Sequence, residues 1–151
     1  MSKLGFKNLP AFKKRLRKRL EKSPAENVKT AMVRSTDLVR NAVVSSIASG
    51  GSGRTYQMYN PRRTHQASSA GQPPATDTGV LISGISTAVE VERNALVGKI
   101  IAYAPTNKGD NYALFLEFGT MDMVARPFMQ PALNKSAKRI TSIFKEEGVI
   151  R

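Results

Sequence analysis

Side chains that could carry acid–base or metal chemistry are few and scattered in this chain. There is one histidine, His65, with four aspartates, seven glutamates and no cysteine. A lone loop histidine is more often solvated than catalytic, and Glu90 and Glu92, which would share one face of a strand, are typical of surface charge. The absence of thiols excludes disulfides and thiolate metal sites. We therefore expect no catalytic site, no cofactor and no bound metal.

The glycine-rich stretch 49–53 could suggest a phosphate-binding loop. It lacks the preceding strand and the Lys and Ser/Thr that such a loop needs, and no serine lies in a GxSxG elbow. These patterns favour a protein that is not an enzyme.

Charge is the most uneven property of the sequence. The net charge is +13; residues 1–63 hold 15 Lys/Arg against 3 Asp/Glu, a balance of +12, and residues 64–151 hold 9 against 8, a balance of +1. Such asymmetry indicates a polyanionic neighbour (nucleic acid, anionic lipid or an acidic protein surface), and the alternative is a solvated basic face. The excess is densest in a basic cluster formed by Lys13, Lys14, Arg15, Arg17, Lys18 and Arg19.

This basic cluster lies in a predicted N-terminal helix, within residues 1–22. Phe12, Leu16 and Leu20 recur every four residues and form a narrow apolar stripe. With only Phe12 as an aromatic, contact with nucleic acid would be to the backbone, non-specific and salt-sensitive. The narrow stripe disfavours a membrane surface, and no apolar run approaches the ~20 residues that a bilayer requires.

A second, longer helix is predicted to follow and to supply core. Ser23 and Glu26 form a capping box, and the glycines of 49–53 end the helix. Its buried positions are predicted to be Val28, Ala31, Met32, Leu38, Val39, Ala42, Val43 and Ile47.

Residues 50–79 are rich in Gly, Ser, Pro and Thr and have no sustained period. We expect a short strand at 54–59 within an extended loop or arm that orders against neighbouring subunits. Residues 80–104 are predicted to form a β-hairpin that turns at 93–95 with Ala and Val side chains inward. The apolar stretch 112–118 is compatible with a strand or with two helical turns.

The chain is predicted to end in a helix with Pro127 in its first turn and Gly148 at its stop. Its buried stripe would be Met129, Leu133, Ala137, Ile140, Ile143 and Phe144. The element order indicates a single α+β domain over 1–151, with helices packed on a small antiparallel sheet.

Three segments together resemble a known family. They are ASSAGQPPATDTGVLISGI at 67–85, YALFLEFGT at 112–120 and ARPFMQPAL at 125–133. In order and spacing they are similar to three stretches, SxxGxPPAxxTGxLxxSI, YAxxxEFGT and ARPFxxPAL, of one family of phage proteins. This family is the head–tail joining, or tail-completion, neck proteins of long-tailed double-stranded DNA phages. It includes the minor tail component related to the lambda Z protein. Gly84 stands where a serine is commoner.

The resemblance implies a virion protein assembled in the bacterial cytoplasm as a six-fold homo-oligomeric ring, without catalysis. Its partners would be the adjoining neck, head-closure and tail-tube proteins, with double-stranded DNA passing through the lumen. The layer of the neck (tail completion, tail terminator or head closure) stays open. The motif residues expected in structural or interface roles are Gly79, Leu81, Tyr112, Glu117, Phe118, Gly119, Thr120, Arg126, Pro127 and Phe128.

Physical roles for several of these residues follow from their types. Gly79 and Gly119 are expected at backbone angles closed to other residues. Tyr112, Phe115 and Phe118 are expected in the core or at a subunit interface, at least two of them in the core. Glu117 and Arg126 are expected to form a salt bridge, which would contribute little if exposed. A non-specific nucleic-acid-binding protein that uses the basic N-terminal helix is the main alternative, ahead of a membrane-surface protein and an enzyme.

Overall fold

The computed structural model describes residues 24–59 and 61–151; the basic cluster and the Ser23 cap lie outside them. The described chain is α+β, as expected. In chain order its elements are α1 (Pro24–Ala48), β1 (Thr55–Tyr59), β2 (Arg62–Gln66), α2 (Val80–Ser83), β3 (Ile85–Glu92), β4 (Ala95–Ala102), α3 (Tyr112–Phe118) and α4 (Met129–Glu146). The strands form two separate antiparallel hairpins, β1–β2 and β3–β4, rather than one sheet.

Helix α1 supplies core as its spacing predicts. It packs against α4 and against both strands of β3–β4. Every position in its predicted stripe is buried or half-buried, and Val39, Val43 and Ile47 belong to the central cluster. Gly50, at φ 87°, follows the end of the helix, in agreement with the predicted stop. No helix within 24–59 and 61–151 is both long and apolar enough to span a bilayer.

The β3–β4 hairpin confirms the predicted turn. Arg93 and Asn94 have φ of 45° and 66°, as a two-residue I′ turn requires, and Glu92 pairs with Ala95. Val91, expected to point inward, is exposed because the outer end of the hairpin extends beyond the helix that covers its base. At Gly98 the strand approaches α1 so closely that a Cβ atom would lie 2.9 Å from Met32 Sδ.

Part of the predicted arm is a β-hairpin. Strands β1 and β2 pair from Thr55↔Gln66 to Tyr59↔Arg62, so the strand expected at 54–59 is confirmed and the purely extended path after it is wrong. β1 is exposed along its whole length. The hairpin therefore stands outside the core; hydrogen bonds close its base, and an ion pair between Arg63 and Asp77 joins it to the loop before α2.

Residues 80–83 form the short helix α2, not the start of the β3–β4 hairpin. Gly79 adopts φ 80° before it, as expected, and Leu81 is buried. Gly84 follows, and a Cβ there would collide with the Tyr103 carbonyl oxygen. The serine that is commoner at this place in the family would not fit this backbone.

The apolar stretch 112–118 is the helix α3, begun by the Asn111 side chain, which accepts the Ala113 N–H. The last helix, α4, begins at Met129, two residues after Pro127. Its most buried residues are Ala132, Ser136 and Ile143, whereas Leu133 and Ala137, predicted to be buried, are exposed. Met129, Ile140, Ile143 and Phe144 are buried or half-buried as predicted, so the stripe is misplaced only in the first half of the helix.

Candidate functional site

The connection between α3 and α4 is organised by one carboxylate. Glu117 Oε2 accepts the N–H groups of Phe128 at 2.8 Å and Met129 at 3.0 Å, and Oε1 accepts that of Gln130 at 3.1 Å. Pro131, next in the chain, has no N–H to satisfy. The four backbone positions that open α4 thus leave no donor unpaired, and the negative charge lies at the positive end of the helix.

This arrangement explains why the second and third motifs occur together. The glutamate of one motif caps the helix that the other begins, and Phe128, 1% exposed, anchors that start in the core. The expected Glu117–Arg126 salt bridge is wrong among the described residues, since Glu117 is taken up by backbone N–H groups. Arg126 contributes its own N–H to the Leu116 carbonyl at 2.7 Å.

Gly119 and Thr120 close the loop after α3. Gly119 has φ 78° and ψ 179°, a conformation almost confined to glycine, and a Cβ there would lie 2.8 Å from the Met123 carbonyl oxygen. Thr120 Oγ1 accepts the N–H groups of Asp122 and Met123. This tight turn holds Met121 away from the body of the protein.

An apolar surface results on α3 and this loop. We call it the α3 apolar surface; Phe118 is 78% exposed, Met121 is fully exposed, and its members are Leu114, Phe115, Phe118, Met121 and Val124. The expectation that two of Tyr112, Phe115 and Phe118 lie in the core is wrong: only Tyr112 is substantially covered. Helix α3 buries Ala113 and packs Tyr112 and Leu116 against the core, whereas Leu114, Phe115 and Phe118 face outward.

A groove of about 610 Å³ adjoins this surface. It lies between β4, α3 and the start of α4, beside the Pro127 ring of the capped connection. Its walls are mainly apolar and include Ile100, Ala102, Leu114, Phe118, Phe128 and Leu133.

A second cavity, of about 540 Å³, is more polar and brings together residues from all three motifs. Gly79, Leu81, Tyr112 and Arg126 line it. Burial raises the pKa of the Tyr112 phenol, although a backbone hydrogen bond with Leu81 opposes the rise.

Two further residues of this cavity, Ser68 and Asp77, lie within the first motif, but the sequence does not indicate that they meet at one cavity. Asp77 lies 2.9 Å from Arg63 Nη2 and 3.8 Å from His65 Nδ1. Only the hairpin pairing, which turns Arg63 and His65 to the same side, brings these groups to the loop that holds Asp77. No cluster of three His, Asp or Glu side chains suited to a metal occurs in the described ranges.

Comparison with known proteins found no matching family model, no similar curated protein and no similar solved structure.

Proposed function

We propose that the chain is a structural protein of a phage neck, the protomer of a six-fold ring that completes the tail and joins it to the DNA-filled head. The α3 apolar surface is the observation that carries this proposal. Five large apolar side chains are exposed to solvent within eleven consecutive residues, 114–124. Contiguous exposed apolar patches of this kind are typical of protein–protein contacts. The resemblance agrees with this, because the second motif supplies three of the five members, Leu114, Phe115 and Phe118.

The β1–β2 hairpin supplies a second exposed surface. Its hairpin tip, Met58 and Tyr59, carries an aromatic side chain that is 84% exposed. A two-stranded hairpin alone is marginally stable in water, so this one gains from packing on another surface. Its sequence lies in the segment expected to act as an arm between subunits.

We take the hairpin tip of a neighbouring copy as the occupant of the apolar groove beside α3. Two different patches on one protomer give a head-to-tail contact, and such contacts close into rings when the rotation between copies permits. Burying a Tyr, Phe or Met side chain contributes about 1.5–3 kcal/mol, so a few such side chains per contact favour assembly.

The basic cluster would face DNA in the lumen or an acidic surface of the adjoining ring. A diffuse electrostatic contact suits a channel through which DNA slides during ejection. We expect replacement of Lys13, Lys14, Arg15, Arg17, Lys18 and Arg19 by Gln to impair DNA retention or docking without unfolding the domain. The measurement is phage titre together with the thermal unfolding midpoint of the purified variant, and normal titre would contradict this role.

Light scattering on the purified chain tests the proposal. We expect a ring at low and at physiological salt, with a mass that short duplex DNA leaves unchanged. The alternative, a non-specific nucleic-acid-binding protein, is favoured by the charge of +12 in residues 1–63. A monomer that binds duplex tightly, with affinity falling steeply as salt rises, would replace our proposal with that alternative.

A further inference from the structure

The polar cavity contains hydrogen-bond donors that the surrounding protein does not use. Ser68 is 4% exposed and lines the cavity, and its hydroxyl has no hydrogen-bond partner among the described residues. The Nε atom of Arg126, which also lines the cavity, is buried and equally unpaired there. Buried polar groups are rarely left in this state, because each forfeits its hydrogen bonds to water.

Arg126 is also a positive charge without a carboxylate partner in the part of the chain that the structure describes. The neighbouring carboxylates are already engaged: Asp77 pairs with Arg63 at 2.9 Å, and Glu117 accepts the N–H groups that open α4. Counting the Arg63 and Arg126 guanidinium groups against the Asp77 carboxylate, the cavity and its edge carry two positive charges and one negative, a net +1. One monoanion would balance this charge.

These features select a carboxylate over a phosphate. The guanidinium presents parallel N–H donors that match a carboxylate in two-point geometry, and a serine hydroxyl can add a third bond. The Asp77 carboxylate lines the same cavity, so a dianionic phosphate would meet a like charge that a monoanion meets more weakly.

We infer that the cavity between Ser68, Asp77, Tyr112 and Arg126 is a binding site for a single carboxylate, presented by an acidic side chain of an adjoining protein. The inference that the ligand is a carboxylate rests on the residues of the cavity alone. The choice of a protein as its source rests on the proposed function, in which this chain contacts other neck proteins.

The test is a nitrogen-15 NMR titration of the full chain with sodium acetate, at ionic strength held constant with sodium chloride. We expect saturable shifts of the Ser68, Gly79 and Arg126 amides with a millimolar dissociation constant. Arg126→Gln should weaken binding at least tenfold, roughly the effect of one charge-assisted hydrogen bond. Ser68→Ala should weaken it less. Arg139→Gln is the matched control, because Arg139 pairs with Glu146 on the far part of α4.

Two further titrations separate the possible ligands. Inorganic phosphate should bind more weakly than acetate. A short blocked peptide with one glutamate among glycines should bind at least as tightly as acetate. Shifts that do not saturate, or that Arg126→Gln leaves unchanged, would contradict the existence of the site. Tighter binding of phosphate than of acetate would contradict the choice of a carboxylate as the ligand. Binding of acetate but not of the peptide would contradict a protein as the source of that carboxylate. None of these results depends on ring formation, so they are independent of the light-scattering test.

Discussion

Replacing Glu117 by alanine is expected to lower the free energy of unfolding by about 3 kcal/mol, because it removes a cap with three hydrogen bonds to a charged acceptor. The N–H groups of Phe128, Met129 and Gln130 would lose their acceptor at the start of α4. Phe128 makes no side-chain cap of its own, so nothing local replaces the carboxylate. Urea unfolding followed by circular dichroism measures the change.

Two variants make this measurement specific. Glu117→Gln keeps one acceptor oxygen and loses the charge. Its free energy of unfolding should therefore lie between those of wild type and Glu117→Ala. Glu90→Ala removes an exposed glutamate paired with Lys99 and should change stability by less than about 1 kcal/mol. Were Glu117→Ala as stable as Glu90→Ala, the cap would not be what holds the two motifs together.

The substitution Phe118→Ser is expected to abolish ring formation while leaving the fold intact. The side chain is 78% exposed in the protomer, so its loss costs little stability, yet it borders the groove that we propose receives the hairpin tip. Serine at Tyr59 should have the same effect from the other side of the contact. Tyr103→Ser is the control: this exposed tyrosine belongs neither to the groove lining nor to the hairpin tip, so the variant should still form rings. The mass of each variant is measured by light scattering, at the concentration where the wild-type protein forms rings.

Mixing the two defective variants separates a head-to-tail contact from other arrangements. The Phe118→Ser protomer keeps its hairpin tip and the Tyr59→Ser protomer keeps its groove. Together they should form one productive contact and stop at a heterodimer, whereas each alone stays monomeric. Rings formed by either single variant would show that the patch is not in the contact, and a mixture that stays monomeric would show that the two patches do not meet each other.

The sequence predicts the fold where the periodicity is long or the turn chemistry specific. Helix α1 has a stripe that runs over most of its length, and the turn at 93–94 includes Asn94, a residue type that tolerates positive φ. The sequence does not distinguish a helix from a strand at 112–118, because seven mostly apolar residues fit both the helical and the strand period. Tertiary contacts decide in favour of the helix, which buries Ala113 rather than an aromatic side chain.

The candidate sites were only partly predictable for the same reason. The motifs identify Glu117 and Arg126 as important, and opposite charges nine residues apart suggest an ion pair. Three unpaired N–H groups at a helix start attract the carboxylate more effectively than one partly exposed guanidinium. The predicted stripe of α4 is misplaced by one position only at Leu133 and Ala137, because periodicity gives the width of a buried face more reliably than its centre. Ser68 and Asp77 enter the polar cavity through loop and hairpin geometry, for which the sequence has no period.

We propose that a phage genome encodes this chain, and deleting its gene there and imaging the lysate by electron microscopy tests the central claim most directly. We predict DNA-filled heads and tails that fail to join, with joined particles restored by the wild-type gene supplied in trans and not by Phe118→Ser. Joined, infectious particles in normal number without the gene would contradict the proposal that this chain is a structural protein of the neck.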